Sequence, residues 1–165
     1  MKVLIACGGT GGHINPGLAI ADIIKGKYPE AEFLFAGTPN GMEATLVPKA
    51  GYRLETIKVA GFQRKISLEN IGRNAKAVAY LVTSGKRAKE IIKGFSPDIA
   101  IGTGGYAAGP VIRKAAKMGI PTAIHEQNAY PGVTNRLLSK EVDYVMLTVI
   151  EALEFMEKDK FEYSV

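Results

Sequence analysis

Val3-Leu4-Ile5-Ala6-Cys7-Gly8-Gly9-Thr10-Gly11-Gly12-His13-Ile14-Asn15-Pro16 runs from a short apolar segment through a cluster of glycines to a proline that can open a helix. The pattern returns in Asp98-Ile99-Ala100-Ile101-Gly102-Thr103-Gly104-Gly105-Tyr106, which leads to Pro110. Each copy reads as strand, glycine loop, helix, and the two loops share a Gly-Thr-Gly-Gly core. In an open α/β sheet ligands bind outside the carboxyl ends of the strands, where glycines let backbone N–H groups approach a phosphate at a helix N-terminus. Asn15 as N-cap and Pro16 at the first helical position predict a helix that begins just past the first loop and aims its positive end back at it. Tight strand-to-helix turns alone would explain one such loop; the recurrence favours two anion cradles.

The same alternation extends along the chain. Short, largely apolar runs at Val3–Ala6, Glu32–Phe35, Leu54–Ile57, Asp98–Ile101, Thr122–Ile124 and Tyr144–Leu147 predict strands of a sheet covered on both faces. Helical patterns lie between them at about Pro16–Lys27, Gly41–Ala50, Leu68–Lys93, Pro110–Met118 and Val133–Lys140. Strand–helix alternation implies right-handed crossovers and an α/β domain built on a doubly wound parallel sheet, over residues 1–149. The tail Ile150–Val165, rich in Glu and Lys, is expected to be a helix or linker that leaves the sheet.

At 165 residues there is room for one domain, or for one half of a two-domain enzyme. A composition 47% hydrophobic and 22% charged fits a soluble globular protein and argues against a disordered or fibrous one. The single cysteine, Cys7, precludes an intrachain disulfide, and with two histidines it is too little for a four-ligand zinc site, so a reducing compartment is expected. The first apolar run meets glycines too soon for a signal-peptide core or a membrane span. The net charge of +5 is concentrated: Lys58–Lys93 carries nine basic residues against Glu69 and Glu90, which points to an anionic partner. Only Phe62 and Tyr80 could stack bases within that stretch, so nucleic acid is not the expected partner.

A dinucleotide site is the competing reading of the glycines. The first loop places Ile14 where the third small residue belongs, and Phe35-Ala36-Gly37 brings no acid to the end of the second strand. The second does better: Gly102-x-Gly104-x-x-Ala107 is followed by Glu126 at the end of the next strand, about where a ribose acid is expected. Neither loop ends in Gly-Lys-Ser/Thr, which excludes a P-loop, and no Asp-x-Asp pair could hold a metal against a diphosphate. A diphosphate here would rely on backbone dipoles and basic side chains, with no metal.

Both histidines fall at strand ends, His13 closing the first glycine run and His125 opening His125-Glu126-Gln127-Asn128. An imidazole in a glycine-rich loop can accept an alcohol proton or bond a phosphate oxygen, which makes His13 the first candidate base. Glu126 is the second, unless its carboxylate binds neighbouring loop backbone instead.

The blocks Gly8-Gly9-Thr10-Gly11-Gly12-His13-Ile14-Asn15-Pro16-Gly17-Leu18-Ala19, Gly102-Thr103-Gly104-Gly105-Tyr106, and His125-Glu126-Gln127-Asn128 with Thr134-Asn135-Arg136 resemble the motifs of the MurG transferases of glycosyltransferase family 28. They lie in that family's order and cover nearly the whole chain. The resemblance implies the Rossmann-like N-terminal half of a GT-B enzyme, which transfers N-acetylglucosamine from UDP-N-acetylglucosamine to the C4 hydroxyl of lipid-linked muramoyl-pentapeptide in peptidoglycan synthesis, with no cofactor. It further implies a separate C-terminal donor-binding domain and donor contacts from Thr10, Gly11, Gly12 and Asn128; for such a transfer His13 is the first catalytic candidate and Glu126 the second. The acceptor diphosphate would rest on Gly9, Gly11, Gly12 and His13 together with Gly102, Thr103, Gly104, Gly105 and Tyr106. The basic stretch would then meet an anionic membrane surface at the cytoplasmic face of the plasma membrane. Its expected contacts are Arg64, Lys65, Arg73, Lys76, Val78 and Leu81, with Ile71, Ala75 and Val82 completing an apolar stripe.

Overall fold

A computed structural model describes residues 1–59 and 83–156. Six strands, β1 (Lys2–Ala6), β2 (Glu32–Gly37), β3 (Arg53–Thr56), β4 (Ile99–Gly102), β5 (Thr122–Glu126) and β6 (Tyr144–Leu147), form one sheet in the order β3-β2-β1-β4-β5-β6. Every neighbouring pair is parallel. Each strand predicted from its apolar run is present, displaced by no more than two residues at either end. The helices are α1 (Gly11–Lys27), α2 (Glu43–Lys49), α3 (residues 83–95 within the described part), α4 (Ala108–Lys117) and α5 (Val133–Leu138).

Period-two alternation divides the core. In β1, Val3 and Ile5 join Ile14, Ala21, Phe33, Phe35 and Val47 on the face covered by α1 and α2. Leu4 and Ala6 face the other way, into a cluster with Ile92 of α3, Val111 and Ile112 of α4, and Leu138 of α5. Both sides of the central strand are therefore dry, as a parallel sheet between two helical layers requires. Burying each Leu or Ile of this kind contributes about 1.5–3 kcal/mol before conformational entropy is subtracted.

The first helix starts earlier than its sequence suggests. Thr10, in extended conformation, is its N-cap, and Pro16 lies inside it rather than at its first position. The expectation rested on Asn15 and Pro16; the chain instead carries the helix through Gly11 and Gly12. A proline this close to the N-terminus removes only one intrahelical bond, and the burial of Ile14, Gly17 and Ala21 outweighs that loss. The tail also departs from expectation. Residues Ile150–Phe155 form a 3₁₀ helix whose Ala152 is buried, with Met156 beyond it, in the α3–α4 core cluster, so the described part of this segment stays on the sheet.

The expected membrane residues Arg64, Lys65, Arg73, Lys76, Val78 and Leu81 lie outside the described residues. At the described end of the basic stretch, Arg87 pairs with Glu55 at 2.6 Å and with Glu90 at 3.5 Å, so this charge is already partnered on the protein. Among the described residues no helix is long and apolar enough to cross a membrane.

Candidate functional site

The strand order reverses between β1 and β4, and a crevice opens at such a switch point beyond the carboxyl ends of the strands. The register pairs Ala6 with Gly102, so the two glycine loops leave the sheet at the same height and meet. Gly104 and Gly105 take φ values of +109° and +84°, backbone that side chains rarely adopt. A Cβ on Gly105 would overlap the Gly8 carbonyl, and one on Gly104 would strike the His13 ring. The buried Thr103 hydroxyl donates to the His13 carbonyl at 2.6 Å, tying the second loop to the first turn of α1.

Both helices that follow these loops have an open N-terminus. Neither α1 nor α4 has a side-chain cap or an acid in its first turn, and each carries lysines in its last turn. The first intrahelical acceptor of α1 is the Thr10 carbonyl, reached by the N–H groups of His13 and Ile14. The N–H groups of Gly11 and Gly12 have no acceptor among the described residues. Unpaired donors, an uncompensated dipole and no side chains in the way together make a candidate anion site.

Sequence reasoning missed the group beneath this loop. Glu43, the first residue of α2, is fully buried. Its Oε1 accepts the Thr38 N–H and hydroxyl, both at 2.7 Å, and its Oε2 accepts the Gly9 N–H at 3.1 Å. Three glycines, Gly8 from the first loop, Gly37 from the end of β2 and Gly41 from the turn before α2, close on the Glu43 side chain so tightly that a Cβ at any of them would overlap it. Burial disfavours the charge, but the hydrogen bonds from Thr38 and Gly9 outweigh it and hold the Glu43 carboxyl below the usual range. The same burial, with the Glu43 charge nearby, pushes the Cys7 thiol up to about 12. The one legible signal was an acid at a helix start preceded by Gly37 and Gly41.

These contacts revise three expected diphosphate ligands. The Gly9 N–H is committed to Glu43, and the Thr103 hydroxyl is committed to the His13 carbonyl. Gly102 ends β4, where a Cβ would lie 2.8 Å from the Ile112 side chain, so its glycine serves the packing of α4. Gly11, Gly12, His13, Gly104, Gly105 and Tyr106 remain gathered around the crevice, with Tyr106 exposed. Beside them opens a cleft of about 410 Å³ lined by Gly9, the Thr38–Gly41 turn, Lys58, Val59 and Tyr106.

Hydrogen bonding fixes the neutral tautomer of His13. His13 Nδ1 lies 3.1 Å from the Gly8 carbonyl, which can only accept, so in the neutral ring the proton sits on Nδ1 and Nε2 carries the lone pair. The Thr10 hydroxyl lies 3.3 Å from the same Nδ1. His125 Nδ1 lies 3.0 Å from the Gln127 amide nitrogen, whose two hydrogens also face the Thr103 carbonyl at 3.0 Å and the His125 carbonyl at 3.1 Å, and its Nε2 lies 3.3 Å from the Thr148 hydroxyl. Burial lowers the His125 pKa, partly opposed by the charge of Glu126.

The third loop is organised around Glu126, almost fully buried at the end of β5. Its Oε1 accepts from the Gln127 N–H, the Asn128 N–H and Asn128 Nδ2, and its Oε2 accepts from the Gly132 N–H and Asn135 Nδ2. Five donors on a dry carboxylate leave no access for a substrate hydroxyl, so the loop-binding alternative fits Glu126 better than proton abstraction. The same engagement deprives the dinucleotide reading of its ribose acceptor. Asn128 is exposed with its amide nitrogen held by Glu126.

A six-stranded parallel sheet with paired, uncapped glycine loops at its switch point is the architecture of an open α/β domain that takes ligands beyond the carboxyl ends of its strands. Comparison with known proteins agrees: the Glycosyltransferase family 28 N-terminal domain matches residues 3–147. The chain belongs to this family. It is 54% identical over 160 residues to the UDP-N-acetylglucosamine--N-acetylmuramyl-(pentapeptide) pyrophosphoryl-undecaprenol N-acetylglucosamine transferase of Ruminiclostridium cellulolyticum, covering 97% of this chain and 43% of that protein. The equivalent transferase of Acetivibrio thermocellus is 52% identical, with 97% and 42% covered. Among solved structures, Acinetobacter baumannii MurG superposes with a TM-score of 0.74 at 31% identity, over 88% of this chain and 40% of that one. The Neisseria meningitidis UDP-GlcNAc 2-epimerase, at 13% identity and a TM-score of 0.62 over 99% of this chain and 45% of that one, shares the fold. The chain thus spans less than half the length of the curated relatives it matches.

Proposed function

We propose that this chain is the acceptor-binding half of an inverting N-acetylglucosaminyltransferase that uses UDP-N-acetylglucosamine as donor and lipid-linked muramoyl-pentapeptide as acceptor. It works with a donor-binding domain of the kind that the greater length of its relatives accommodates. The observation that carries the reading is the pairing of two uncapped glycine loops across the switch point, with the His13 Nε2 lone pair between them. The acceptor pyrophosphate rests on the Gly11 and Gly12 N–H groups and on the Gly104–Tyr106 turn, while Thr10, Gly11, Gly12 and Asn128 reach the donor.

In the reaction, His13 Nε2 takes the proton of the acceptor C4 hydroxyl as that oxygen attacks the anomeric carbon. The bond to UDP breaks on the opposite face, and UDP leaves with the electron pair. Fixed main-chain dipoles oppose the negative charge of the pyrophosphates without reorganising, which is where such sites gain most of their effect. Asn128, held by Glu126, sits at the rim as a positioning contact. The basic stretch with Arg64, Lys65, Arg73, Lys76, Val78 and Leu81 rests on anionic lipid at the cytoplasmic face, each charge contributing about 1 kcal/mol near the surface.

The test is His13→Ala in this domain joined to a donor-binding domain. Turnover should fall by about 10²–10⁴-fold, the range of general-base catalysis, with donor affinity nearly unchanged; retained turnover removes His13 from the chemistry. For the membrane contact, Arg73→Glu with Lys76→Glu should reduce flotation with anionic vesicles, and unaltered flotation would refute it.

A further inference from the structure

The mechanism above leaves one buried charged group without a task, Glu43. The peptide unit between Gly8 and Gly9 is held at both ends. Its N–H donates to Glu43 Oε2 at 3.1 Å, and its carbonyl accepts from His13 Nδ1 at 3.1 Å. In a trans peptide these two groups point in opposite directions, so carboxylate, peptide and imidazole form one continuous chain of hydrogen bonds.

That peptide is flanked by glycines, Gly9 having a φ of +88°, and glycine offers little intrinsic resistance to a peptide flip. A flipped unit would turn the Gly8 carbonyl oxygen onto the buried carboxylate, acceptor against acceptor, and would remove the acceptor from His13 Nδ1. The negative charge therefore selects the orientation in which an N–H faces Glu43. It also polarises the peptide and strengthens the carbonyl as an acceptor at the imidazole end.

We infer that Glu43 is the positioning residue for His13, acting through the Gly8–Gly9 peptide to hold the imidazole proton on Nδ1 and keep Nε2 unprotonated toward the crevice. The inference rests on the reading in which His13 Nε2 accepts the acceptor proton, but its structural half stands on its own. Glu43 is fully buried, so its influence reaches the crevice through the peptide. The surrounding glycines, Gly8, Gly37 and Gly41, are what let a carboxylate fit beneath the loop.

The test reads the tautomer directly. The chain has two histidines, so the His13 pattern can be assigned and read against that of His125 in long-range ¹⁵N–¹H spectra of the neutral state. In the unsubstituted protein His13 should show the Nδ1–H pattern; an Nε2–H pattern overturns the inference before any variant is made. Glu43→Gln presents an NH₂ that can donate to a flipped Gly8 carbonyl, and should move at least half of the neutral His13 population to the Nε2–H form. Thr38→Val removes one hydrogen bond from the same carboxylate but keeps the charge, and should cost stability while leaving the tautomer intact. Should Glu43→Gln fail to fold, Glu43→Asp withdraws the carboxylate by one methylene and should shift the tautomer in the same direction. An unchanged His13 pattern in a folded Glu43 variant reduces Glu43 to loop scaffolding and overturns the inference. In the two-domain enzyme, Glu43→Gln should lower kcat about tenfold or more with the donor KM nearly constant. Failure of His13→Ala to reduce turnover would instead refute the proposed chemistry and leave the tautomer result standing.

Discussion

Replacing Gly105 by alanine perturbs the contact that brings the two glycine loops together, and its cost can be separated into two parts. The first is backbone strain: Gly105 has a φ of +84°, where an L side chain costs about 1–2 kcal/mol relative to glycine. The second is steric. The new Cβ would fall on the Gly8 carbonyl, which is backbone and cannot rotate aside, so the loops must separate, at about 1–3 kcal/mol for overpacking of this kind. Gly119 and Gly51 provide the comparison, with φ of +73° and +85° and open space where a Cβ would go. Gly119→Ala and Gly51→Ala should show the strain alone. Urea unfolding of the three variants should therefore place Gly105→Ala about 1–3 kcal/mol below the other two. Because the Gly8 carbonyl also orients His13, the loss should be accompanied by shifts in the His13 resonances that the control variants do not show. Equal destabilisation of all three, with His13 unmoved, would mean that the loops do not meet as described.

Further expectations follow from buried polar groups. Asn135 is nearly inaccessible and donates from Nδ2 to Glu126 Oε2 at 2.9 Å and to the His125 carbonyl at 3.1 Å; Asn135→Ala should cost about 1–3 kcal/mol in urea unfolding, and a loss under about 0.5 kcal/mol would contradict this role. Cys7 should resist thiol reagents at pH 8 in the folded protein and react promptly once denatured, since burial holds its thiol near 12; rapid labelling of native protein would refute its placement. Cys7 and Tyr52 both have raised folded-state values of about 12, against 9.0 and 10.0 as the ordinary values. Above pH 9 the unfolded chain releases these protons while the folded chain keeps them, so the urea midpoint should decline as pH rises from 9 toward 12. Glu43 works in the opposite sense: its depressed value stabilises the fold above about pH 4.5, and that contribution should fade as pH falls below it and be missing in Glu43→Gln.

The fold was legible because a parallel sheet covered on both faces leaves a simple trace. Ile5, Phe35, Ile101 and Ile124 sit in short apolar runs separated by helix-length segments, and each is a buried strand residue. The start of α1 was less legible, since Asn15-Pro16 is a good local helix opening, whereas the packing of Ile14 and Gly17 that extends the helix back to Gly11 is a tertiary effect. Within the site, the two loops and His13 could be read from spacing alone. Glu43 could not, because the pocket that accepts it is made by Gly8, Gly37 and Gly41, which converge only when β1 and β2 pair. The same limit applied to Glu126: its sequence neighbours suggested backbone bonding, but the donors from Gly132 and Asn135 come from beyond a turn. Gly102 and Thr103 looked like ligands from within the motif, and only the facing side chains of Ile112 and the carbonyl of His13 reveal their packing roles.

The account stands most directly on whether main-chain amides at the switch point receive a pyrophosphate. Titrating the ¹⁵N-labelled chain with a muramoyl-pyrophosphoryl lipid analogue should shift the amide signals of Gly11, Gly12, Gly104 and Gly105 together, while Gly9, held by Glu43, moves least among the loop glycines. Saturable binding that leaves those four signals in place and perturbs another surface would contradict it.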